Sequence, residues 1–443
     1  MTTKILSLWP PQIPSYFNAG HHIGVFLNAA YLRAAGHEVT ALDAGALNYD
    51  WKRFGDLVRQ QRFDVIAITN DFDNVDDFDR TLRYIRTLSP GSRVVTAGRL
   101  SSQAPLVFES TEVDAIVVSG DPEAGIAGYV SWLEQGSPAG AVPDGVTVRV
   151  DGAWHRPARP GRHLPADEWR LPDIGEIPYG AYLNMYKRDE SKFCGIPDRR
   201  ELVVPAARGC PVGCSFCDVP GVQGLRDRRL TVARTLEYIE ASFAAQPFEY
   251  VAFYAPTFTL DRRWIKNLCD ELVERGSPYP WKCATTIAHT PLDLLEQMAR
   301  SGCVRVSVGL ETLEPDGQDT LPRQKHIELT RFHTLAERCR ELGVELNCFV
   351  IAGLPGTTAA GVERTVREIR AAGGRVRPTM YGNIEALRSA RTLDDAALFN
   401  RQLLHPADAG SGEETLYDVV FGVEPSPTQV MASIPRRVEL PVP

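Results

Sequence analysis

The first third of the chain alternates between short apolar runs and stripes of apolar residues at helical spacing. Apolar residues at positions 23, 26, 27, 30, 31 and 34 mark one face of a helix that ends at Gly36. Further helices are predicted over 75–88 and near 123–135, and strands at 4–8, 38–42, 64–69, 93–98 and 114–120. This alternation favours right-handed crossovers and a doubly wound parallel sheet. Such sheets bind ligands beyond the carboxyl ends of their strands.

The alternation is lost after this region and resumes from residue 201. Six strand–helix units follow, with strands near 201–207, 249–255, 280–286, 303–309, 344–351 and 375–381. Six such units predict a partial (β/α)6 TIM-type barrel with its active site at the carboxyl ends of the strands. The domain boundaries that we expect are 1–138 for the first domain, 139–200 for a linker with a short hairpin near 146–156, 201–381 for the barrel, and 382–443 for a small C-terminal cap.

Composition and charge narrow the class of protein. The chain has 443 residues, 44% hydrophobic and 23% charged, which is typical of a globular protein of two or three domains. Its net charge of −8 and the lack of a Lys/Arg stripe argue against nucleic acid as a partner. No apolar run reaches the length of a signal peptide or a membrane span, so we expect a cytoplasmic protein with no membrane partner.

Three of the nine cysteines form the strongest chemical signal in the sequence. Cys210, Cys214 and Cys217 follow the first strand of the barrel in a C-x3-C-x2-C pattern. Three thiolates on one loop can hold one face of a metal cluster and leave one metal without a protein ligand. A closed zinc site needs four ligands and ordinary ferredoxin clusters need four cysteines, and no fourth cysteine lies near this loop. A structural zinc site is the alternative. Five further cysteines fall within strand or helix patterns and are predicted to be core thiols: Cys269, Cys283, Cys303, Cys339 and Cys348.

The cysteine loop, with Phe216 as the aromatic residue before the third cysteine, resembles that of the radical S-adenosylmethionine (SAM) superfamily. The resemblance implies a [4Fe–4S] cluster (4Fe-4S) bound by the three cysteines. It also implies that the amino and carboxylate groups of SAM chelate the fourth iron, and that reduction cleaves SAM to a deoxyadenosyl radical.

The rest of the barrel resembles the branch of this superfamily that carries an N-terminal cobalamin-binding domain. The similarity covers residues 249–275, 292–311 and 344–356. It implies that Glu311 hydrogen-bonds the ribose of SAM and that the turn from Gly353 to Gly356 lies beside the adenine, where glycine permits close approach of the backbone. An ordinary loop carboxylate and a plain turn are the alternatives.

Two strand ends depart from the family pattern. Residues 254–256 read Tyr-Ala-Pro, where relatives place acidic or glycine-rich residues against the methionine amino group. Residues 284–286 read Ala-Thr-Thr, where relatives often carry an arginine toward the methionine carboxylate. We therefore expect fewer charged contacts to the methionine part of SAM. Tyr254, Thr257 and Thr286 are the expected SAM contacts at these strand ends.

The first 135 residues resemble the Rossmann-like cobalamin-binding domain that precedes such barrels. A flat corrin needs a broad crevice at the strand ends, and small residues there would admit its nucleotide tail. The resemblance implies contacts from Gly98, Ser101 and Gly120, and from the loop Asn70, Asp71 and Phe72 near the lower face. Any flavodoxin-like sheet has similar turns, so a sheet without cobalamin is the alternative.

The lower axial ligand of cobalt is a separate question. Cobalamin domains that bind cobalt through histidine carry D-x-H-x-x-G, and the matching stretch here begins at Ala19 and places His21 in the histidine position. Ala19 replaces the aspartate that would orient the imidazole. Radical relatives usually leave this face uncoordinated, so His21 is either a cobalt ligand or a loop histidine.

The resemblance implies a C-methyltransferase that passes a methyl group from SAM through methylcobalamin to carbon. Its substrate would be a small molecule of secondary metabolism, as in antibiotic biosynthesis, and its external electron donor a flavodoxin or ferredoxin. One alternative keeps both cofactors but performs a rearrangement or oxidation. The other is a sensor that binds cobalamin or a metal without catalysis.

Overall fold

The structure is a computed structural model that describes residues 2–11, 21–138, 140–188, 195–196 and 199–404. The strands are β1 (Lys4–Trp9), β2 (Glu38–Asp43), β3 (Val65–Asn70), β4 (Arg93–Gly98), β5 (Ala115–Val117), β6 (Val146–Val150), β7 (Ala153–His155), β8 (Glu201–Pro205), β9 (Ala207–Arg208), β10 (Arg228–Arg229), β11 (Tyr250–Tyr254), β12 (Trp281–Thr285), β13 (Cys303–Glu311), β14 (Glu345–Ala352) and β15 (Arg375–Met380).

The helices connect these strands. They are α1 (Ile23–Ala34), α2 (Trp51–Gln61), α3 (Val75–Leu88), α4 (Arg99–Gln103), α5 (Leu106–Glu109), α6 (Pro122–Glu134), α7 (Tyr179–Arg188), α8 (Val219–Gln223), α9 (Val232–Ala245), α10 (Arg262–Glu274), α11 (Leu292–Arg300), α12 (Pro315–Gln318), α13 (Leu329–Glu341), α14 (Ala359–Ala371), α15 (Ile384–Leu387) and α16 (Leu393–Leu404). Short 3-10 turns lie at Phe72–Asn74, Phe258–Leu260, Ile287–His289 and Arg323–Lys325.

The chain divides into two compact units. The first unit contains residues up to Met185 together with Asp218–Leu225 and Asn383–Arg401. The second unit contains the described residues of Tyr186–Cys217 and of Arg226–Gly382. Among the described residues, no helix has the length and apolar character needed to cross a membrane.

The first unit is built on a seven-stranded sheet of order β2-β1-β3-β4-β5-β6-β7. Strands β1 to β5 pair in parallel, so the predicted doubly wound sheet is confirmed. Helices cover both faces, and alternate residues of β1 therefore belong to different cores. Ile5 packs in the core that includes Tyr129 of α6, whereas Leu6 and Leu8 pack in the core that includes Phe78 of α3.

The hairpin expected within 139–200 is present, but it is not part of a separate linker. Strand β6 pairs antiparallel with β5, placing Val146 opposite Val117, and β7 then forms the edge of the same sheet. The buried residues Trp169 and Tyr182 also lie in this unit. The linker boundary was wrong for residues 140–185, because this part of the segment belongs to the first unit.

The second unit contains a six-stranded parallel sheet of order β15-β14-β13-β12-β11-β8. The spatial order follows the chain order, which agrees with the predicted succession of six strand–helix units. A two-stranded ribbon of β9 and β10 follows the first of these strands. The five cysteines predicted as core thiols are buried, and burial raises the pKa of Cys269 and Cys339 to about 12.

The described part of the expected C-terminal cap belongs to the first unit. Leu387, Ala390, Ala396 and Ala397 are buried in the same core as Leu6. The expected separate cap domain was therefore wrong for Asn383–Arg401, because apolar residues of this segment fill the first core. Residues 405–443 of the expected cap lie outside the described residues.

Candidate cluster and cofactor sites

The cysteine loop lies at the carboxyl end of β8 and β9 in the second unit. Gly213 has a φ of 75°, a left-handed conformation that glycine adopts without steric cost, and it turns the chain between the first two cysteines. The Cys217 amide donates to the Cys214 carbonyl at 3.1 Å, which closes the second turn. Cys210 is buried with its Sγ 3.6 Å from the Thr257 hydroxyl, whereas Cys214 and Cys217 are half-buried.

The cysteine loop supplies three thiols, one fewer than the four ligands of a closed zinc site. A zinc site needs its ligands around one ion, whereas the thiolates of an iron–sulfur cluster bind different irons. Burial raises the pKa of Cys214, and the positive charge of Lys325 opposes that rise. Three thiols on one turn beside a cation therefore fit a cluster face.

Phe216 lies against an apolar cluster, and Glu311 lies at the irregular end of β13. Phe216 packs against Leu321, Ile351 and Leu354. Glu311 ends β13 with a φ of 63°, after a shift in the strand register that begins at Gly309. A left-handed glutamate beside a bulge is a strained arrangement, and such arrangements cluster at functional sites.

The partner of Glu311 is Lys325, which the sequence analysis missed. Its Nζ lies 2.7 Å from Glu311 Oε1, and both side chains are buried. Lys325 comes from the 3-10 turn between α12 and α13 and has no local pattern that marks it. Residues 284–286 at the end of the third barrel strand contain no basic residue, whereas Lys325 lies between the fourth and fifth barrel strands.

The other barrel residues expected to contact SAM differ in exposure and partners. Tyr254 ends β11 and is 65% exposed, whereas Thr257 is buried beside Cys210. The Thr286 hydroxyl lies 2.7 Å from His289 Nδ1. Burial, and then the charge of Lys325, lower the pKa of His289, so this imidazole is neutral near pH 7.

The two glycines of the Gly353–Gly356 turn have different surroundings. Both have left-handed φ values, 76° and 80°. A Cβ at Gly356 would lie 2.5 Å from the Asp316 carbonyl oxygen, so the neighbouring backbone requires glycine there. A Cβ at Gly353 would meet only Tyr381, at 3.9 Å, which leaves open space beside that residue.

In the first unit, three of the residues expected to contact cobalamin bond to one another. Asn70 Oδ1 accepts from the Ser101 amide at 2.9 Å, and the Asn70 side chain donates to Thr96 at 2.7 Å. Gly98 has a φ of 156°, and a Cβ there would overlap the Asn70 carbonyl. Asn70 and Ser101 are buried, so their side chains shape the strand ends of β3 and β4.

Gly120 and the loop at Asp71 also have partners within the first unit. A Cβ at Gly120 would lie 2.6 Å from the Gly161 carbonyl carbon, so close packing of the 161 segment accounts for this glycine. The Arg99 guanidinium lies 4.6 Å from the Phe72 ring centre, 3.1 Å from Asp71 and 2.6 Å from Asp218. Arg99 was not among the residues expected to contact cobalamin, and its partners Asp71 and Asp218 are distant from it in the sequence.

The two adjacent histidines at the start of α1 have different surroundings. The His21 ring lies 5.5 Å from the Tyr179 ring and 4.4 Å from the Tyr182 ring. The His22 ring stacks on Trp9, at 3.5 Å between centroids, and its Nδ1 lies 2.7 Å from Asp43 Oδ2. A carboxylate on Nδ1 is the arrangement that orients a metal-binding imidazole.

Asp43 joins His22 to α7 of the same unit. It accepts from the Tyr182 hydroxyl at 2.5 Å and from the Ala46 amide at 2.9 Å. Burial favours a raised pKa for Asp43, but His22 and these hydrogen bonds outweigh burial and hold the pKa below its ordinary value. The carboxylate missing at position 19 therefore has a counterpart at Asp43, although it orients His22 and not His21. Ala19 itself lies outside the described residues.

Two family models match this chain. Residues 204–369 match the radical SAM superfamily, and residues 15–126 match the B12 binding domain. The chain therefore combines a cobalamin-binding domain with a domain of the radical SAM superfamily. Its cofactors are accordingly a [4Fe–4S] cluster, SAM and cobalamin.

Individual relatives have low sequence identity. The chain is 24% identical over 386 residues to the anaerobic magnesium-protoporphyrin IX monomethyl ester cyclase of Rubrivivax gelatinosus, covering 83% of this chain and 63% of the relative. It is 28% identical over 159 residues to the hopanoid C-2 methylase of Rhodopseudomonas palustris (strain TIE-1), covering 34% of this chain and 29% of the relative. The chain thus spans less than two-thirds of the length of these curated relatives.

Two solved structures share the fold. The radical SAM methyltransferase TsrM from Kitasatospora setae aligns with a TM-score of 0.68 at 18% identity, over 86% of this chain and 73% of TsrM. The cobalamin-dependent radical SAM enzyme OxsB aligns with a TM-score of 0.67 at 14% identity, over 94% of this chain and 56% of OxsB. At these identities the likeness supports the fold alone.

Proposed function

We propose that this chain is a C-methyltransferase that transfers a methyl group from SAM by way of cobalamin to a carbon of a small molecule. The observation that carries the proposal is a loop of three thiols, with a buried carboxylate–ammonium pair nearby, in a chain that also has a cobalamin-binding domain. Two relatives named as methylating enzymes, the hopanoid C-2 methylase and the bacteriochlorophyllide d C-12(1)-methyltransferase of Chlorobaculum tepidum, support it.

In this proposal, the second unit holds the cluster and SAM. Cys210, Cys214 and Cys217 bind the cluster, and Phe216 shields the loop by packing on apolar neighbours. The cofactors supply the radical and methyl-transfer chemistry, so the protein has to bind, orient and exclude water. Around the same strand ends, SAM contacts are assigned to Tyr254, Thr257, Thr286, Glu311, Gly353 and Gly356.

The first unit holds cobalamin at the carboxyl ends of its parallel strands. Asp71 and Phe72, which Arg99 fixes, are proposed to contact the corrin. Asn70, Gly98, Ser101 and Gly120 are buried or closely packed, so their proposed part is to shape the crevice. His21 is proposed as a loop histidine, since its ring contacts two tyrosines and the Asp43 carboxylate orients its neighbour.

The proposed enzyme receives electrons one at a time from an external donor such as a flavodoxin or ferredoxin, and we propose that it works in the cytoplasm. The test needs no known substrate. The full chain, loaded anaerobically with iron, sulfide and hydroxocobalamin, is reduced and incubated with methyl-labelled SAM. We expect label in the corrinoid fraction together with S-adenosylhomocysteine, and absence of label from the corrinoid would contradict methyl transfer.

A second candidate function keeps the cofactors but omits methyl transfer. It is favoured by one observation, since the relative that covers 83% of this chain is named a cyclase. A ring-forming or oxidising enzyme would release deoxyadenosine with substrate but would not incorporate label into product. Quantifying deoxyadenosine, S-adenosylhomocysteine and labelled product in one reaction therefore separates the two functions.

A further inference from the structure

A buried cation lies beside the cysteine loop outside the residues that bind the cluster in the proposal above. Lys325 is 6% exposed, and its Nζ donates to Glu311 Oε1 at 2.7 Å and to the Gly309 carbonyl at 3.3 Å. An ammonium is seldom buried so completely without a strong reason, because burial costs it hydration. Glu311 neutralises the charge of the ammonium at short range only. The role of Lys325 therefore depends on the other groups around it.

The backbone of β13 leaves room for this pair. A Cβ at Gly309 would lie 2.5 Å from Glu311 Oε1 and would overlap Lys325 Nζ. Any larger residue at this position would therefore displace the two charged groups. Gly309 immediately precedes the shift of register that gives Glu311 its left-handed conformation. Gly309 thus leaves the space beside β13 that the two charged groups occupy.

The turn that carries Lys325 is attached to the cysteine loop. Gln324 Nε2 donates to the Val212 carbonyl at 2.9 Å. Val212 lies between Cys210 and Cys214 in the sequence, so the bond joins the Arg323–Lys325 turn to the middle of the loop. Any movement of this turn relative to the thiols is therefore restrained.

The charge of Lys325 is fixed by its partner. Burial favours a lowered pKa for Lys325, but the charge and the hydrogen bond of Glu311 oppose that effect, and the pKa is raised, so the ammonium stays protonated. The ammonium and the carboxylate carry opposite charges beside the same loop. They therefore have opposite effects on negative charge at the loop.

We propose that Lys325 is a positioning residue whose fixed positive charge sets the reduction potential of the cluster, an inference that rests on the proposed cluster at Cys210, Cys214 and Cys217. A four-iron core bound by three thiolates is negatively charged, and one electron from the external donor makes it more negative. A nearby ammonium stabilises the reduced form, and a nearby carboxylate destabilises it. Lys325 therefore raises the potential and Glu311 lowers it.

The test measures the cluster potential directly in the full chain, without SAM or substrate. Lys325→Met, Glu311→Gln and the control Lys266→Met on α10 are reconstituted anaerobically. Iron content and visible absorbance report cluster loading, and a redox titration followed by electron paramagnetic resonance gives the potential. In Lys325→Met we expect the reduction constant to fall about tenfold or more, which is a downward shift of about 59 mV for a one-electron couple.

The matched variants move in different directions. Glu311→Gln should shift the potential upward, Lys325→Arg should keep it near the wild-type value, and Lys266→Met should leave it unchanged. Lys325→Met leaves the Glu311 carboxylate buried without its cation, which can prevent folding or loading. In that case the double variant Glu311→Gln/Lys325→Met, which buries no charge at the pair, should have a lower potential than Glu311→Gln alone.

The outcomes separate this inference from the proposed function. Full cluster loading with an unchanged potential in Lys325→Met overturns the charge role and leaves the cluster assignment intact. Shifts of the same sign in Lys325→Met and Glu311→Gln also overturn it. If the potential of Lys325→Met is unshifted and a separate equilibrium titration shows weaker SAM binding, Lys325 acts on SAM and not on the cluster. A wild-type chain that binds no cluster overturns both proposals.

Discussion

Replacing Asp43 by asparagine should destabilise the first unit by an amount that follows from its three hydrogen bonds. One carboxylate oxygen accepts from the Ala46 amide, and the other accepts from Tyr182 and faces His22 Nδ1. An asparagine amide has only one acceptor oxygen. Whichever way it is turned, its NH2 group faces at least one buried donor.

The cost can be estimated from these bonds. A buried donor without a partner costs about 1–3 kcal/mol, and the hydrogen bonds that remain lose the benefit of a charged acceptor. We therefore expect Asp43→Asn to lower the free energy of unfolding of the first unit by about 3 kcal/mol. For a unit of about this size, such a loss lowers the melting temperature by about 6–12 °C.

The assay is thermal unfolding of the full chain, with hydrogen exchange at the amides of the first unit as the readout. This readout is needed because two units need not unfold together. The control is Asp144→Asn, which removes the exposed ion pair with Arg159 and should change stability by less than about 0.5 kcal/mol. The reasoning is refuted if the two variants melt at the same temperature.

The same prediction has a pH dependence with a definite sign. The pKa of Asp43 is lowered in the folded protein, so the stabilisation is complete above the pKa of the unfolded chain and is lost as pH falls through the lowered value. The difference in stability between wild type and Asp43→Asn should shrink below about pH 4. A difference that grows on acidification would contradict the lowered pKa.

Three further predictions concern the proposed sites. Cys214→Ala should abolish the cluster, measured as iron content after anaerobic reconstitution, and cluster retention in the triple alanine variant of the loop would contradict the assignment. His21→Ala should leave the visible spectrum of bound hydroxocobalamin nearly unchanged, and a clear change would make His21 the axial ligand. Gly356→Ala should lower the melting temperature of the second unit more than Gly373→Ala, because both have left-handed φ values but only Gly356 faces a backbone oxygen at 2.5 Å. Equal effects would mean that backbone strain, and not contact with Asp316, requires the glycine.

Local patterns predicted those parts of the fold that depend on neighbouring residues. Local apolar patterns predicted both α1 and β1, although only Ile23 and Phe26 of the six positions in the predicted α1 stripe are buried. The hairpin of β6 and β7 was also predicted, but its position in the sheet of the first unit was not. A hairpin's pattern does not say which strand it will pair with, and β5 is its partner here.

The candidate sites likewise differ in how much of them a local sequence pattern can predict. The three cysteines lie within eight consecutive residues, so their spacing alone indicates shared chemistry. Lys325 and Glu311 are 14 residues apart, His22 and Asp43 are 21 apart, and Arg99 and Asp218 are 119 apart. Each of these pairs depends on the fold, and a single charged residue has no periodicity that would reveal its partner.

The return of the chain to the first unit has a consequence for biosynthesis. Leu387, Ala390, Ala396 and Ala397 fill a core that begins with Leu6, so that core stays incomplete until nearly 400 residues have been made. A nascent chain that has emerged only as far as the first sheet exposes apolar surface, which favours aggregation or chaperone binding. An N-terminal fragment expressed by itself would carry the same open face, so cobalamin binding is best measured on a chain that retains α15 and α16.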